Sequence, residues 1–168
     1  MTRLDELRAH TRNGTDGVDQ KIDGLLDLIA HAKPASVIEI GSDYGVSTEV
    51  FLLHCARVVA VDPWPDEAIY QSFIARCGGY PNLEIVRGRS PEALNAMPAA
   101  TFDLCYIDGD HGYVSVNCDI VAGIPLVRNG GWMAGHDYNT FHAVSFNVRQ
   151  FFGRPEMVFS DGSWIVRK

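Results

Sequence analysis

Apolar and polar positions alternate with two periods along this chain. Val18, Ile22, Leu25, Leu26 and Ile29 share one helical face, and Pro34 stops that run. A charged N-terminal stretch predicts a short helix ahead of it, with Arg12 to Gly17 (RNGTDG) as the connecting loop. "SVIEI" (Ser36 to Ile40) is almost wholly apolar, as expected of a strand covered on both faces, and Gly41 ends it.

The same alternation then repeats. A helix is expected from Ser47 to Cys55, with Val46, Val50 and Leu53 aligned, then a strand from Arg57 to Asp62 and a helix from Asp66 to Cys77. Leu83 to Gly88 is a strand, and a short helix follows with Ser90 as N-cap and Pro91 in its first turn. "FDLCYID" predicts a fourth strand, Tyr113 to Val127 a helix, and "GWMAGHD" a fifth strand. Phe141, Val144, Val148, Phe151 and Phe152 mark another helix. "EMVFS" and "SWIVRK" are two closing strands, for which Asp161-Gly162 signals a tight hairpin. Five strand–helix units predict an α/β fold: a doubly wound, mostly parallel, Rossmann-like seven-stranded sheet with a C-terminal antiparallel hairpin.

In such sheets ligands bind beyond the carboxyl ends of the strands. Four polar features fall at those ends: the Gly41 turn, Asp62, "IDGDHGY" and "GHDY". Four features at four strand ends point to one crevice. The first turn, "EIGSDYGVST", spaces Gly41 and Gly45 as G-x-x-x-G, not as the G-x-G-x-x-G that brings backbone against a pyrophosphate. Asp62, ending the next strand, can accept hydrogen bonds from both hydroxyls of a ribose. Together they suit an adenosine-type ligand.

Asp108 and Asp137 end successive strands. Neighbouring strands lie about 4.8 Å apart, so two carboxylates there can share one cation. Hard oxygen ligands suit Mg²⁺. His111, three residues beyond Asp108, titrates near neutrality, at about pH 6.5 when unperturbed.

Composition narrows the partners. The chain has 168 residues, enough for one domain, and its net charge of −7 argues against a nucleic-acid phosphate backbone. No apolar run approaches the roughly 20 residues of a membrane span, and the N-terminus lacks the apolar core of a secretory signal. Cys55, Cys77, Cys105 and Cys118 show no C-x-x-C spacing. Reduced thiols in a cytoplasmic protein are expected, with neither a disulfide nor a zinc site.

The motifs "VIEIGSDYGVST", "VVAVDPW", "GRSPEAL", "FDLCYIDGDHGY" and "GGWMAGHDY" together resemble those of class I S-adenosylmethionine-dependent methyltransferases. More narrowly, they are similar to the small-molecule O-methyltransferases that include macrolide-sugar, catechol and caffeoyl-CoA enzymes. The resemblance runs from about Ala35 to Lys168. It implies residues 1–34 as an N-terminal helical cap on a catalytic domain at 35–168, within one domain overall. It also implies S-adenosylmethionine held by Glu39, Gly41, Ser42, Tyr44, Gly45, Asp62, Trp64, Arg89, Ser90 and Asp108. In that scheme Gly41 borders the methionine part and Glu39 organises the turn. Asp62 holds the ribose, Trp64 lies near the adenine, and Arg89 and Ser90 flank the adenine edge.

The same resemblance sets Asp108 beside the sulfonium end of the cofactor, places a divalent metal, Mg²⁺ or Mn²⁺, on Asp108 and Asp137, and makes His111 the general base. Where relatives carry a third oxygen ligand, this chain has His136 and Tyr138, so His136 serves either a softer metal or the substrate. The implied acceptor is a small hydroxylated molecule, against which Tyr44, Trp64, Tyr113, Tyr138 and Phe141 are candidate pocket walls. His142 is a further candidate polar residue, and Trp132, inside a strand, belongs to the core. Two other readings share the fold. One is a nicotinamide-dependent oxidoreductase, which the missing G-x-G-x-x-G disfavours. The other is a non-catalytic cofactor-binding domain, its open crevice covered by a partner such as a second copy of the chain.

Overall fold

A computed structural model describes residues 2–12 and 18–168. Apart from Arg12, the loop expected up to Gly17 lies outside the described residues. The elements are α1 (Arg3–Arg12), α2 (Val18–Ala32), β1 (Ser36–Ile40), α3 (Val46–His54), β2 (Arg57–Asp62), α4 (Glu67–Cys77), β3 (Leu83–Arg87), α5 (Glu92–Asn95), β4 (Phe102–Ile107), α6 (Tyr113–Gly123), β5 (Val127–Gly135), α7 (His142–Phe152), β6 (Met157–Val158) and β7 (Trp164–Arg167). The strands form one seven-stranded sheet, ordered β3-β2-β1-β4-β5-β7-β6. Strands β1 to β5 run parallel and β7 is antiparallel to both neighbours, as expected from the sequence. No helix among the described residues is long and apolar enough to cross a membrane.

Strand side chains alternate between two cores. Val37, Val58, Ala60, Leu104 and Tyr106 face one side, with Leu25 and Leu28 of α2, Phe51 of α3 and Phe73 of α4. Ile38, Val59, Cys105 and Met133 face the other, with Ile120 of α6 and Val148 of α7. Helix α2 therefore shares the sheet's own core. The order in which strands are added to the sheet reverses between β1 and β4, which lie side by side and parallel although five elements separate them in sequence. That is the switch point at which the loops of an open sheet diverge and leave a crevice.

Several boundaries differ from the sequence expectations. Helix α6 stops at Gly123, because Pro125 disfavours helix at the residue before it, and residues 124–126 tighten into a 3₁₀ turn. Strand β5 starts earlier than expected, at Val127, and its register against β4 jumps from Phe102↔Val127 to Leu104↔Trp132. It also ends at Gly135, so His136 and Asp137 lie in the loop beyond. Pro91, not Ser90, occupies the N-cap of α5. The last hairpin loop has three residues rather than two. Gly162 donates to Phe159 O at 3.0 Å while Phe159 N donates to Ser163 O at 2.8 Å, with Gly162 at φ 88° completing a bulged turn. Leu53, expected on the packed face of α3, is exposed.

Helix α3 matters to the site because its first turn borders the crevice. Its Glu49 is buried and takes contacts from three side chains: Arg3 Nε at 2.7 Å, Arg76 at 3.2 Å and Tyr80 Oη at 2.9 Å. Removing the acid strands Arg76 and Tyr80 beneath the surface. Removing Arg3, which is about half exposed, leaves the other two partners in place. Glu49→Ala is expected to cost roughly 3 kcal/mol and Arg3→Ala less than about 1 kcal/mol, measured by urea unfolding monitored by tryptophan fluorescence. Equal losses would contradict this assignment.

Candidate active site

A cleft of ≈ 720 Å³ opens at the carboxyl ends of β1, β2, β3 and β4. Gly41, at φ 87°, forms its floor. A Cβ there would lie 2.4 Å from Asp108 O, so the loops after β1 and β4 meet backbone to backbone and only glycine fits. Gly45, at φ 80°, caps α3, and a Cβ there would press on Cys77 and Phe73. Glu39 is wholly buried beneath this turn, its Oε2 accepting from the Ser42 and Thr48 hydroxyls. Burial pushes Glu39 up to about 7 despite the hydroxyls of Ser47, Thr48 and Ser42. Its other oxygen is buried without a hydrogen-bond partner.

Asp62 is held from both sides by backbone. Its Oδ1 accepts from Trp64 N at 2.7 Å and its Oδ2 from Asp43 N at 3.1 Å. Each oxygen keeps a lone pair for a ligand, which is the acceptor pair a ribose diol requires. Ser42, Tyr44, Arg89, Ser90 and Asp108 also line the cleft, as expected.

Trp64 does not line it. Its ring is buried against Phe73 and Tyr70, and its indole N–H donates to Asp43 O. At φ 38° its backbone turns left-handed, so the indole braces the Asp43–Asp62 loops from behind and does not face the place expected for a base.

The two acids flank a histidine. Asp108, His111 and Asp137 each offer a ligand atom, and these atoms all lie within 4.8 Å of one another. His111 Nε2 stands 2.8 Å from Asp137 Oδ2, in a contact not aligned as a hydrogen bond. His136 Nδ1 lies 3.1 Å from the same oxygen and 3.9 Å from Asp108 Oδ1. His136 is outside the cleft lining and outside the group of three. The group of three thus contains His111 and not His136, which the sequence reading had named beside the two acids. Asp137 takes φ 64°, a left-handed conformation a non-glycine residue adopts at some energetic cost. The loop is pinned there by Phe141 N donating to Asp137 O at 3.0 Å and by Tyr138 N donating to Gly162 O at 3.0 Å.

Charge follows geometry. Burial works against the charge of Asp137, but His111 and His136 outweigh it and hold the carboxyl well below the usual range. The Asp137 carboxylate in turn raises His111 above its ordinary value against the effect of burial. Asp110 serves the helix, accepting from Gly112 N at 2.9 Å and Ser115 Oγ at 3.0 Å.

Among the aromatic candidates, Tyr44 lines the cleft and Phe141 stacks on His111 at 4.3 Å. Tyr113 Oη instead contacts His142 Nδ1 at 2.6 Å, and Tyr138 takes a hydrogen bond from Arg149 Nε at 3.0 Å. Trp132 is buried, as expected. Ser47, Ser115, Cys118 and Asp119 also line the cleft, although nothing at their positions in the sequence singled them out.

Residues 38–138 match the methyltransferase domain family. The chain belongs to that family. Its similarities within the family extend to a protein of Mycobacterium sp. (strain JLS) named as an O-methyltransferase, 29% identical over 130 residues. That alignment covers 73% of this chain but only 58% of the relative's length. Two solved structures share the fold of this methyltransferase domain. A Staphylococcus aureus protein described as a caffeoyl-CoA O-methyltransferase superposes with a TM-score of 0.73 at 16% identity, covering 100% of this chain and 93% of that one. An O-methyltransferase from Bacillus cereus, solved with S-adenosylhomocysteine, superposes with a TM-score of 0.67 at 21% identity, covering 98% and 90%. At these identities the likeness carries the fold alone.

The His111–Asp137 pair has a measurable signature. A histidine with a raised folded-state pKa stabilises the fold fully below its unfolded value of about 6.5, and that stabilisation is lost as pH rises through the raised value. In chelator, the Tm of the wild type is expected to fall more between about pH 6 and pH 8 than that of His111→Gln, by scanning calorimetry. Parallel curves would rule out the pairing.

Proposed function

We propose that this chain is an S-adenosylmethionine-dependent methyltransferase that methylates a hydroxyl of a small molecule. The observation that carries this reading is the convergence of Asp62, Asp108, His111 and Asp137 on one cleft floored by Gly41. The paired lone pairs of Asp62 fit an adenosine ribose, and the glycine floor admits a ligand without side-chain obstruction. Two carboxylates and an imidazole whose ligand atoms all lie within 4.8 Å of one another fit a divalent cation such as Mg²⁺ or Mn²⁺.

When bound, the cofactor would supply an electrophilic methyl group, and a cation would make the acceptor hydroxyl more acidic. The residues do the rest. Asp62 and the Gly41 turn fix the adenosine end. Asp108 and Asp137 would hold the cation, and the cleft walls orient the acceptor, which removes much of the entropic cost of an in-line displacement. His111 Nε2 takes the hydroxyl proton. Phe141, stacked on the imidazole, sets its plane.

A second reading of His111 as third cation ligand is favoured by the grouping of the three ligand atoms. Calorimetric Mn²⁺ titration separates the roles: His111→Ala leaves affinity nearly unchanged if the residue is only the base, and weakens it at least tenfold if it is a ligand.

The setting in this reading is cytoplasmic, with reduced thiols, of which Cys55, Cys77 and Cys105 are buried. Asp137→Ala, or excess chelator, is expected to abolish turnover while S-adenosylmethionine binding by calorimetry changes less than about threefold. Full activity in chelator would remove the cation from the mechanism, and tighter binding of NAD than of S-adenosylmethionine would overturn the methyltransferase reading.

A further inference from the structure

Helices α6 and α7 cover the same face of the sheet, and their outer surface is apolar. Asn117 Nδ2 of α6 donates to Asn147 Oδ1 of α7 at 3.3 Å, and the Tyr113 ring meets Phe146 edge-on at 5.6 Å. His142 joins them, with its Nδ1 2.6 Å from Tyr113 Oη and its ring 6.1 Å from that of Phe146. Tyr113, Val114, Val121, Phe141 and Phe146 are between 42% and 76% exposed. Along α6, Val114, Asn117 and Val121 recur at helical spacing, so one exposed stripe runs the length of the helix. Charged residues make up 21% of the chain, yet α6 and α7 together hold only Asp119 and Arg149. Asp119 is buried, and Arg149 donates to Tyr138 with its guanidinium over that ring.

A run of exposed apolar side chains with almost no charge marks a surface that something else covers. A small molecule needs a concavity, and the cleft lining takes in Val114 but not Tyr113, Val121 or Phe146. A lipid surface is drawn by lysine and arginine, of which the two helices supply Arg149 alone. A basic protein is steered to the carboxylates of this acidic chain and away from an uncharged face. A second copy has the opposite requirement. Two molecules of net charge −7 repel each other, so they approach closely only through faces with little charge. The α6–α7 surface has that property, and its aromatic side chains are those favoured at the centre of an interface.

We propose that the α6–α7 face is the self-association surface of this protein, joining two copies about a twofold axis with Val121 and Phe146 inside the contact. A twofold contact uses the same patch on both molecules, so one uncharged aromatic face suffices. Its edge reaches the active-site cleft. Val114 belongs to the cleft lining, and Phe141 stacks on His111. The second copy therefore stands beside the cation end of the cleft and narrows the approach to His111. Asp62, at the end of β2, lies across β1 from this edge, so cofactor binding does not require the dimer.

Sedimentation equilibrium of the full chain tests this, with S-adenosylhomocysteine calorimetry on the same samples. Wild type at about 10 µM is expected to sediment at twice the 18.5 kDa of one chain. Val121→Glu and Phe146→Glu, each placing a charge inside the contact, are each expected to raise the dissociation constant at least about 100-fold. Leu53→Glu makes the same kind of change at an exposed apolar position on α3 and is expected to leave the dimer intact. Circular dichroism reports folding of each variant. Should the glutamate variants fail to fold, the milder Phe146→Ser decides, with an expected rise of at least about tenfold. Wild type that stays monomeric up to about 100 µM overturns the proposal, and pelleting with phosphatidylglycerol vesicles would then assign the face to a lipid surface. A dimer that both Val121→Glu and Phe146→Glu leave intact, or that Leu53→Glu breaks equally, also overturns it. Absence of S-adenosylhomocysteine binding by wild type counts against the methyltransferase reading and leaves this surface standing.

Discussion

The site depends on four backbone hydrogen bonds that run one step past the ends of the parallel strands. Gly88 N donates to Asp62 O, Gly41 N to Val61 O, Asp108 N to Ile40 O and His136 N to Ile107 O, all between 2.8 and 3.0 Å. Each loop thus starts as an extension of the ladder, held to its neighbour before it turns away. The pinch between Gly41 and Asp108 is the tightest point, because β1 and β4 are adjacent there and their loops leave in opposite directions. A side chain at Gly41 would push the Asp108 loop outward and open the group formed by Asp108, His111 and Asp137. Positions of functional side chains are fixed by sheet hydrogen bonding, and the helices supply burial.

Much of this was legible in the sequence because it follows from alternation. Apolar runs ending in Asp62, Asp108 and "GHD" mark strand ends, and a doubly wound sheet brings strand ends together. Trp64 was misplaced because a strand-end aromatic looks the same whether it faces the crevice or braces the loop behind it. The difference is a backbone twist at Trp64 with no local sequence signal. The grouping of His111, rather than His136, with the two acids has a related cause. Strand β5 ends at Gly135, so His136 and Asp137 both lie in the loop beyond it, and of the two only Asp137 lines the cleft, opposite His111 from the loop before α6. Asp119 was invisible because a mid-helix acid is ordinarily solvated, and only packing against the 108–110 loop buries it.

The hairpin contributes more to the site than its short strands suggest. Tyr138 N is tied to Gly162 O, and Asp161 is locked by Ser163 N and Oγ. On the far side, a Cβ on Gly24 would strike the Asp161 carboxylate at 2.2 Å, so α2 and the hairpin loop touch with no room for a larger residue. The left-handed turn at Asp137 is thereby held between β5, the hairpin and the start of α7. A strained carboxylate orientation survives because three elements over-determine it.

Electrostatic balance separates the ligand classes that this fold can host. Asp43, Asp62, Asp108, Asp110, Asp119 and Asp137 all line the cleft, against Arg89 and His111. Such a surplus of acid repels a pyrophosphate, whose two negative charges would sit near Asp43 and Asp62 at the glycine turn. The same surplus favours a cofactor whose reactive centre is a cation, and it leaves Asp108 and Asp137 able to attract a divalent ion as well. Coulombic attraction in a partly desolvated crevice is several-fold stronger than in water. Like charges crowded at a site cost stability until a cation arrives. The acids therefore favour the loaded state over the free one, and the G-x-x-x-G turn, without the third glycine of a pyrophosphate loop, agrees with that charge pattern.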